Sequence, residues 1–516
     1  MPNESPDRRS RALGLYNHIV DFLYFFGPKT KIEPGEKWPV DAKPVPVSDA
    51  LSRLPPPYTH SDPHKEILEH LDSRKSPPVL VVLDDDPTGT QTCHNISVLT
   101  TWGIDDLVCE FKTEPRGFFI LTNSRAYPPD GARDLMRSIC KAVKTVAQMM
   151  RTEVEIVLRG DSTLRGHFPL EPDIADEIFG TFDAWIVAPY FFEGGRFTID
   201  DVHYVKSGDV LVPAAQTPFA ADASFGYKSS NLRNYVHEKA PGRFTAEQVT
   251  SISLTDVRIG GPGCIDDILQ AVKRPSVVIV NAVEPNDMDV FCAGLLRARS
   301  SGKKFLYRTG AAFVSSRLGI ARIAPLGRTD INFQVSDKPR GALIVAGSYV
   351  PKTTAQLTAL ISRRADKLHV IEVQIDQLTG SNRTKTIEAA TADLEHCLQS
   401  GKDVLLMTSR KLVTRGDGKD NLALGSLVMS GLVQIARNNQ ICPRYFIAKG
   451  GITSSDMASK ALGMKRARVT GQAAPGVPVW INDDNESKFP GIPYVVFPGN
   501  VGDDSTLAEI VEQWAE

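Results

Sequence analysis

PVLVVLDDDPTGTQT, residues 78–92, decides the fold. Its first half is a continuous apolar, β-branched run. That is how a strand buried on both faces of a parallel sheet reads. The run ends in a polar, glycine-containing turn, and in open α/β sheets the loop at a strand's carboxyl end is where ligands bind. Asp84, Asp85 and Asp86 are adjacent there, followed by Thr88 and Gly89. Three neighbouring carboxylates repel one another, so they suit a site that handles hydroxyls, cations or protons. The plainer alternative is a capped turn in which Asp and Thr satisfy loop amides.

Outward from this stretch the chain alternates strand and helix signals. NISVLTT (95–101), GFFILTN (117–123), EIVLRGD (155–161), AWIVAPY (184–190) and SVVIVNAV (276–283) read as strands. Residues 131–150 carry Leu135, Ile139, Val143 and Val146 at helical spacing. A second run holds GALIVAGS (341–348), HVIEVQI (369–375), DVLLMTS (403–409), YFIAKGG (445–451) and IPYVVFPGN (492–500), with helices between them. Strands followed by helices mean an α/β layered fold. The expectation is two domains, each a mainly parallel sheet flanked by helices, with the active site in the cleft between them. The boundaries fall at 64–324 and 341–516, joined by a linker over 325–340 that lacks periodicity. Residues 27–63 are proline-rich, an extended arm, and the folded part is expected to start near residue 64.

Four strand ends of the first half carry polar loops. Arg159-Gly160-Asp161-Ser162-Thr163-Leu164-Arg165-Gly166-His167 sets two arginines and an aspartate within seven residues. Arginine offers a planar pair of donors to a carboxylate, while Asp, Ser and Thr pair with hydroxyls. A sugar acid presents both groups; the alternative is a surface ion-pair cluster. Gly194-Gly195-Arg196-Phe197-Thr198 and Asn123-Ser124-Arg125 are weaker signals of the same kind. In the second half Gly347-Ser348, Lys449 to Ser455 and Pro498 to Gly502 are glycine or hydroxyl loops after strands. Glycine lets backbone amides approach phosphate closely. There is no G-x-x-x-x-G-K-[ST] loop, and no G-x-G-x-x-G follows a strand.

Composition narrows the class. Of 516 residues, 42% are hydrophobic and 23% charged, which are globular values. Lys and Arg total 59 against 61 Asp and Glu, so overall charge gives no reason to expect nucleic acid. The seven cysteines are scattered without a C-x-x-C pair, against a disulfide or zinc framework. LGLYNHIVDFLYFF (13–26) is short for a membrane span and is broken by Asn17, His18 and Asp21. A docking helix and a cytoplasmic location are expected.

These residues resemble the four-carbon acid sugar kinase family. Asp85-Asp86-x-Thr88-Gly89 is similar to its Asp-Asp-x-Thr-Gly motif, and Arg159-x-Asp161-Ser162-Thr163-Leu164-Arg165-Gly166 to a second. IVAPYFFEGGRFT is similar to a third, ending in Gly195-Arg196-x-Thr198. VAGSYVPKTTAQL, the Lys449 to Ser454 loop and FPGNVGD resemble its C-terminal segments. Ile452 stands where the family has Glu, and Phe497-Pro498 where it has Lys-Ser.

The resemblance implies an N-terminal domain that binds the sugar acid and a C-terminal domain that binds ATP. The γ-phosphoryl would pass to the terminal hydroxyl of erythronate, threonate or a 3-oxo-tetronate. It implies a substrate site of Asp85, Thr88, Arg159, Ser162, Arg165 and Arg196, with Asp86 or Asp161 orienting or deprotonating the hydroxyl. It implies a nucleotide site of Ser348, Gly450, Gly451, Ile452, Thr453, Gly499 and Gly502. Mg²⁺ would bridge the ATP phosphates, largely water-coordinated, with no dedicated protein ligand. An oligomer is compatible with the sequence. The second reading is a non-catalytic nucleotide- and sugar-acid-binding protein of the same fold.

Overall fold

The computed structural model describes residues 42–73, 77–331, 333, 340–347, 350–409 and 418–515. The apolar run 13–26 and Ser348 lie outside them.

A sheet of fifteen strands runs through both halves. In chain order the strands are β1 Val79–Asp84, β2 Ile96–Leu99, β3 Gly117–Leu121, β4 Val154–Arg159, β5 Ala184–Ala188, β6 Val249–Ile252, β7 Val277–Val280 and β8 Phe305–Thr309. They continue as β9 Leu343–Ala346, β10 Leu368–Val373, β11 Asp403–Thr408, β12 Phe446–Lys449, β13 Arg466–Ala474, β14 Val477–Asn482 and β15 Pro493–Phe497. Across the sheet the order is β6-β7-β5-β8-β4-β1-β3-β2-β13-β14-β15-β12-β9-β11-β10. The first eight of these are parallel to one another. So are the last five.

Each half is therefore mainly parallel, as expected, but the two sets share one sheet. The hairpin β13–β14 welds them: Val469 pairs with Ile96 and Arg466 with Leu99 in antiparallel register. Three antiparallel pairings reverse direction between the sets. In a flat sheet their carboxyl ends would lie on opposite edges. Twist of about 20–25° per step over the steps from β1 to β12 swings one edge toward the other. The loops after β1 and β12 consequently meet: a Cβ on Gly451 would fall 2.5 Å from Asp86 Oδ2.

Every residue of β1 is buried. Leu80 and Val82 pack into one core, and Val79, Val81 and Leu83 into the other. Burial on both faces removes the need for alternation, hence the unbroken apolar run. Helix Pro129–Met150 covers one face through Ile139, Val143 and Val146.

A second, antiparallel sheet orders Val45–Pro46, Val210–Pro213, Val202–Ser207 and Arg196–Ile199. The folded chain thus starts before residue 64. Val45 pairs with Leu211, Arg258 donates to the Pro55 carbonyl at 2.8 Å, and Asn286 donates to that of Tyr58 at 3.0 Å. Proline removes amide donors but keeps its carbonyl, so a proline-rich segment can still dock by accepting. Among the described residues no helix is long and apolar enough to cross a membrane.

Candidate active site

The loops after β3, β1 and β4, adjacent in the sheet, hold the charged residues. Asp86 caps the 3-10 turn Pro87–Thr90 by accepting from the Thr88 amide at 2.9 Å. A Cβ at Gly89 would lie 2.1 Å from Asp84 Oδ2, so only glycine fits the turn over that carboxylate. Arg159, ending β4, reaches Asp84 at 3.0 Å and Asp85 at 3.3 Å, and donates to the Thr88 hydroxyl at 3.4 Å. Arg125, beyond β3, reaches Asp86 at 2.8 Å, Asp85 at 3.2 Å and Asp161 at 3.9 Å.

These charges sort the carboxylates. Burial pushes Asp84 up to about 7, helped by Asp85 and Asp86 and opposed by Arg159. Burial would raise Asp86 too, but Arg125, Arg159 and the hydrogen bonds from Thr88 outweigh it and hold its pKa below the ordinary carboxylate value. Asp161 behaves likewise: Arg165, Arg125 and Thr163 overcome burial and keep it far below. Arg165 Nε lies 2.6 Å from Asp161 Oδ2, and the Thr163 hydroxyl bonds the same oxygen.

The Asp161 loop is pinned from behind. His203 Nε2 lies 2.7 Å from the Ser162 carbonyl. The Tyr227 hydroxyl donates to the Thr163 carbonyl at 2.7 Å, and that of Tyr235 to Leu164 at 2.9 Å. Arg308 donates to the Arg165 carbonyl at 3.2 Å. Four consecutive carbonyls thus accept from four separate side chains. A carbonyl can only accept, so Nε2 of His203 carries the hydrogen, and Nδ1 accepts from the Thr198 hydroxyl at 3.0 Å. Burial lowers the His203 pKa to about 4, which keeps the ring neutral. A Cβ at Gly160 would lie 1.0 Å from Arg308 Nη1, so a side chain there would displace the guanidinium that pins the loop.

Arg196 stands on the small sheet, with its guanidinium 5.6 Å from the Phe219 ring centroid; Arg165 lies 5.1 Å from the same ring. Arg196 Nη1 donates to the Gly194 carbonyl, while its buried Nε has no partner. Among the described residues it pairs with no carboxylate, and burial lowers its pKa. A cation in this state is suited to an incoming anion.

The second half converges on the same place with backbone rather than charge. Gly450 has φ 116°, a conformation suited to glycine, and opens the short helix Gly451–Asp456. A Cβ at Gly347 would lie 3.0 Å from Thr453 Oγ1, so those loops touch. Lys352 donates to the Gly502 carbonyl at 3.0 Å, and Gln356 to that of Val501 at 3.1 Å. Lys449, fully buried, donates to the Pro498 carbonyl at 2.6 Å and lies 4.0 Å from the Phe497 ring centroid. Burial, with nearby Lys352, lowers its pKa to about 7. Ile452 projects outward, 58% exposed.

The structure brings together Asp85, Asp86, Thr88, Arg159, Asp161 and Arg165, sets Ser162 in the pinned loop, and places Gly450, Gly451, Thr453, Gly499 and Gly502 around the facing loops. Sequence reading underweighted Arg125, quoted Lys449 within its loop without giving it a role, and passed over Arg308 and His203. Arg308 and Lys449 had one legible signal: each is a cation near the carboxyl end of a buried strand. The close approach at Gly451 is to the Asp86 carboxylate, which leaves no room for a Cβ between the facing loops. The three loop aspartates turn onto arginines. Among the described residues, the one His/Cys/Asp/Glu group with metal-ligand spacing lies elsewhere, at His369.

A family model described as a sugar-binding N-terminal domain matches residues 80–317. A second, a nucleotide-binding C-terminal domain, matches residues 343–507. No curated protein matches the chain. Among solved structures, the chain is similar to a Salmonella typhimurium LT2 protein called a "putative tRNA synthase", at TM-score 0.60 and 15% identity, covering 84% of this chain and 98% of that one. It is also similar to a Haemophilus influenzae protein of the DUF1537 family, at TM-score 0.54 and 16% identity, covering 84% and 99%. Likeness at these identities speaks for the fold alone.

Proposed function

The chain belongs to the two-domain four-carbon acid sugar kinase family, and on that premise we propose that it transfers the γ-phosphoryl group of ATP to the terminal hydroxyl (O4) of a four-carbon sugar acid. One observation carries the reading: the Gly451 backbone lies against Asp86, so the glycine loops of one half face the aspartates and arginines of the other.

Phosphoryl transfer needs positioning and charge neutralisation more than covalent chemistry. Arg196 and Arg165, which share the Phe219 ring, hold the substrate carboxylate. Asp86 orients the attacking hydroxyl and accepts its proton. It is the carboxylate that touches the Gly451 loop, whereas Asp161 is tied to Arg165 and Thr163. A carboxylate held ionised is a weak base, but a loose transition state lets the proton leave late. Arg125 and Arg159 keep the loop from flying apart under its own negative charge. Gly450, Gly451 and Thr453 hold the ATP phosphates, with Gly499 and Gly502 behind them. Mg²⁺, when bound, would supply charge neutralisation on those phosphates.

The test is substrate-dependent ADP release from purified protein with Mg-ATP, over erythronate, threonate and 3-oxo-tetronates. Turnover supports the kinase reading. Binding of both ligands with no ADP formed would favour the non-catalytic reading.

A further inference from the structure

β10 is the last strand of the sheet at the nucleotide-binding end. On it, His369 Nε2 lies 2.8 Å from Asp393 Oδ2. The Cys397 thiol donates to the other oxygen of that carboxylate at 3.7 Å. Asp393 and Cys397 sit one turn apart on helix Arg383–Gln399, so both project from one face of it. One nitrogen, one oxygen and one sulfur ligand atom all lie within 4.8 Å of one another.

We propose that His369, Asp393 and Cys397 form a binding site for a divalent cation of the zinc class. Donor chemistry selects the ion: imidazole and thiolate are poor ligands for Mg²⁺ or Ca²⁺ but good ones for Zn²⁺. Geometry agrees. Zinc bonds of about 2.0–2.3 Å in a tetrahedron hold ligand atoms about 3.3–3.8 Å apart. The thiol stands at that spacing from Asp393 Oδ1, while the imidazole lies closer, 2.8 Å from Oδ2, so the carboxylate turns one oxygen to the ion as the imidazole withdraws.

The ion replaces two hydrogens that now converge on one carboxylate. The thiol proton leaves to solvent, and the imidazole hydrogen moves from Nε2 to Nδ1. Carboxylate and thiolate together cancel the ion's two charges, so the occupied site is neutral where Cys397 is buried. Three protein ligands leave a fourth position for water, which the partial exposure of His369 and Asp393 allows. The ion would tie an edge strand to the helix that covers it, and edge strands are otherwise weakly held.

The plainer reading is an exposed ion pair beside a buried thiol, and it predicts no thiolate-bound metal. The experiment titrates full-length, reduced, metal-free protein with Co²⁺ and reads near-ultraviolet sulfur-to-cobalt absorption. The expected result is one Co²⁺ per chain, displaced by equimolar Zn²⁺. The absorption should vanish in Cys397→Ala, persist in Cys109→Ala, and need at least about tenfold more Co²⁺ in His369→Gln. No such absorption in the wild type, its survival in Cys397→Ala, or unchanged affinity in His369→Gln would each overturn the proposal. Should Cys397→Ala fail to fold, His369→Gln, at a partly exposed strand position, still decides. None of these readouts depends on kinase activity.

Discussion

The two facing edges of the site are built in opposite ways. On the sugar-binding side, Asp84, Asp85, Asp86 and Asp161 are interlocked with Arg125, Arg159 and Arg165. On the nucleotide-binding side, glycine backbone, hydroxyls and two lysines that donate to backbone carbonyls fill the equivalent loops. On the proposed function, the difference follows from what each edge would hold. A small acid with several hydroxyls is recognised by directional side chains, which must be fixed against each other to discriminate. A phosphate chain brings its own dense charge, so close backbone approach and a few cations suffice.

The sharpest break of that comparison lies where the edges touch. Asp86→Asn should lower kcat about 10²–10⁴-fold, the usual scale for a positioned acid–base group, with binding of ATP and sugar acid retained. Gly451→Ala comes next. Its Cβ would press on Asp86 from 2.5 Å, and kcat/KM should fall about 10²-fold, as misplacement of reacting groups by about an ångström does. Gly425→Ala is the control, since nothing lies within 4 Å of its Cβ position.

A smaller effect tests the pinned loop. His203 has a folded pKa near 4 against an ordinary 6.5, so the unfolded chain binds more protons between those values. Stability should fall as pH drops through that window, by about 2 kcal/mol at pH 5. Urea melts at pH 7 and pH 5 should show this slope in wild type and lose it in His203→Gln, whose amide can still donate to Ser162. The smallest effect separates the edges kinetically. Arg196→Ala should raise KM for the sugar acid about tenfold and leave that for ATP unchanged, and Lys449→Met should do the reverse. If both variants shift both constants together, the division of labour is wrong.

Much of this was legible in the chain. Continuous apolar runs such as 79–83 announced the parallel strands, because burial on both faces needs no alternation. The aspartate and arginine loops stood out because charge directly after a buried strand is costly without a purpose. The hairpin β13–β14 was not legible. RARVTGQAA carries three alanines and a glycine, which are depleted in strands, and its bulges break the two-residue period. Missing it meant missing that the halves share one sheet. Arg308 and His203 escaped for another reason: each acts on a loop more than forty positions away, a relation that spacing along the chain does not carry.

The central claim is one site completed by both edges. Phosphorus NMR of the protein with Mg-ATP and each four-carbon acid in turn tests it most directly. The account predicts a new phosphomonoester signal split by the two protons of a terminal carbon, formed in step with ADP. Inorganic phosphate in place of that ester, or unchanged ATP with both ligands bound, would contradict it.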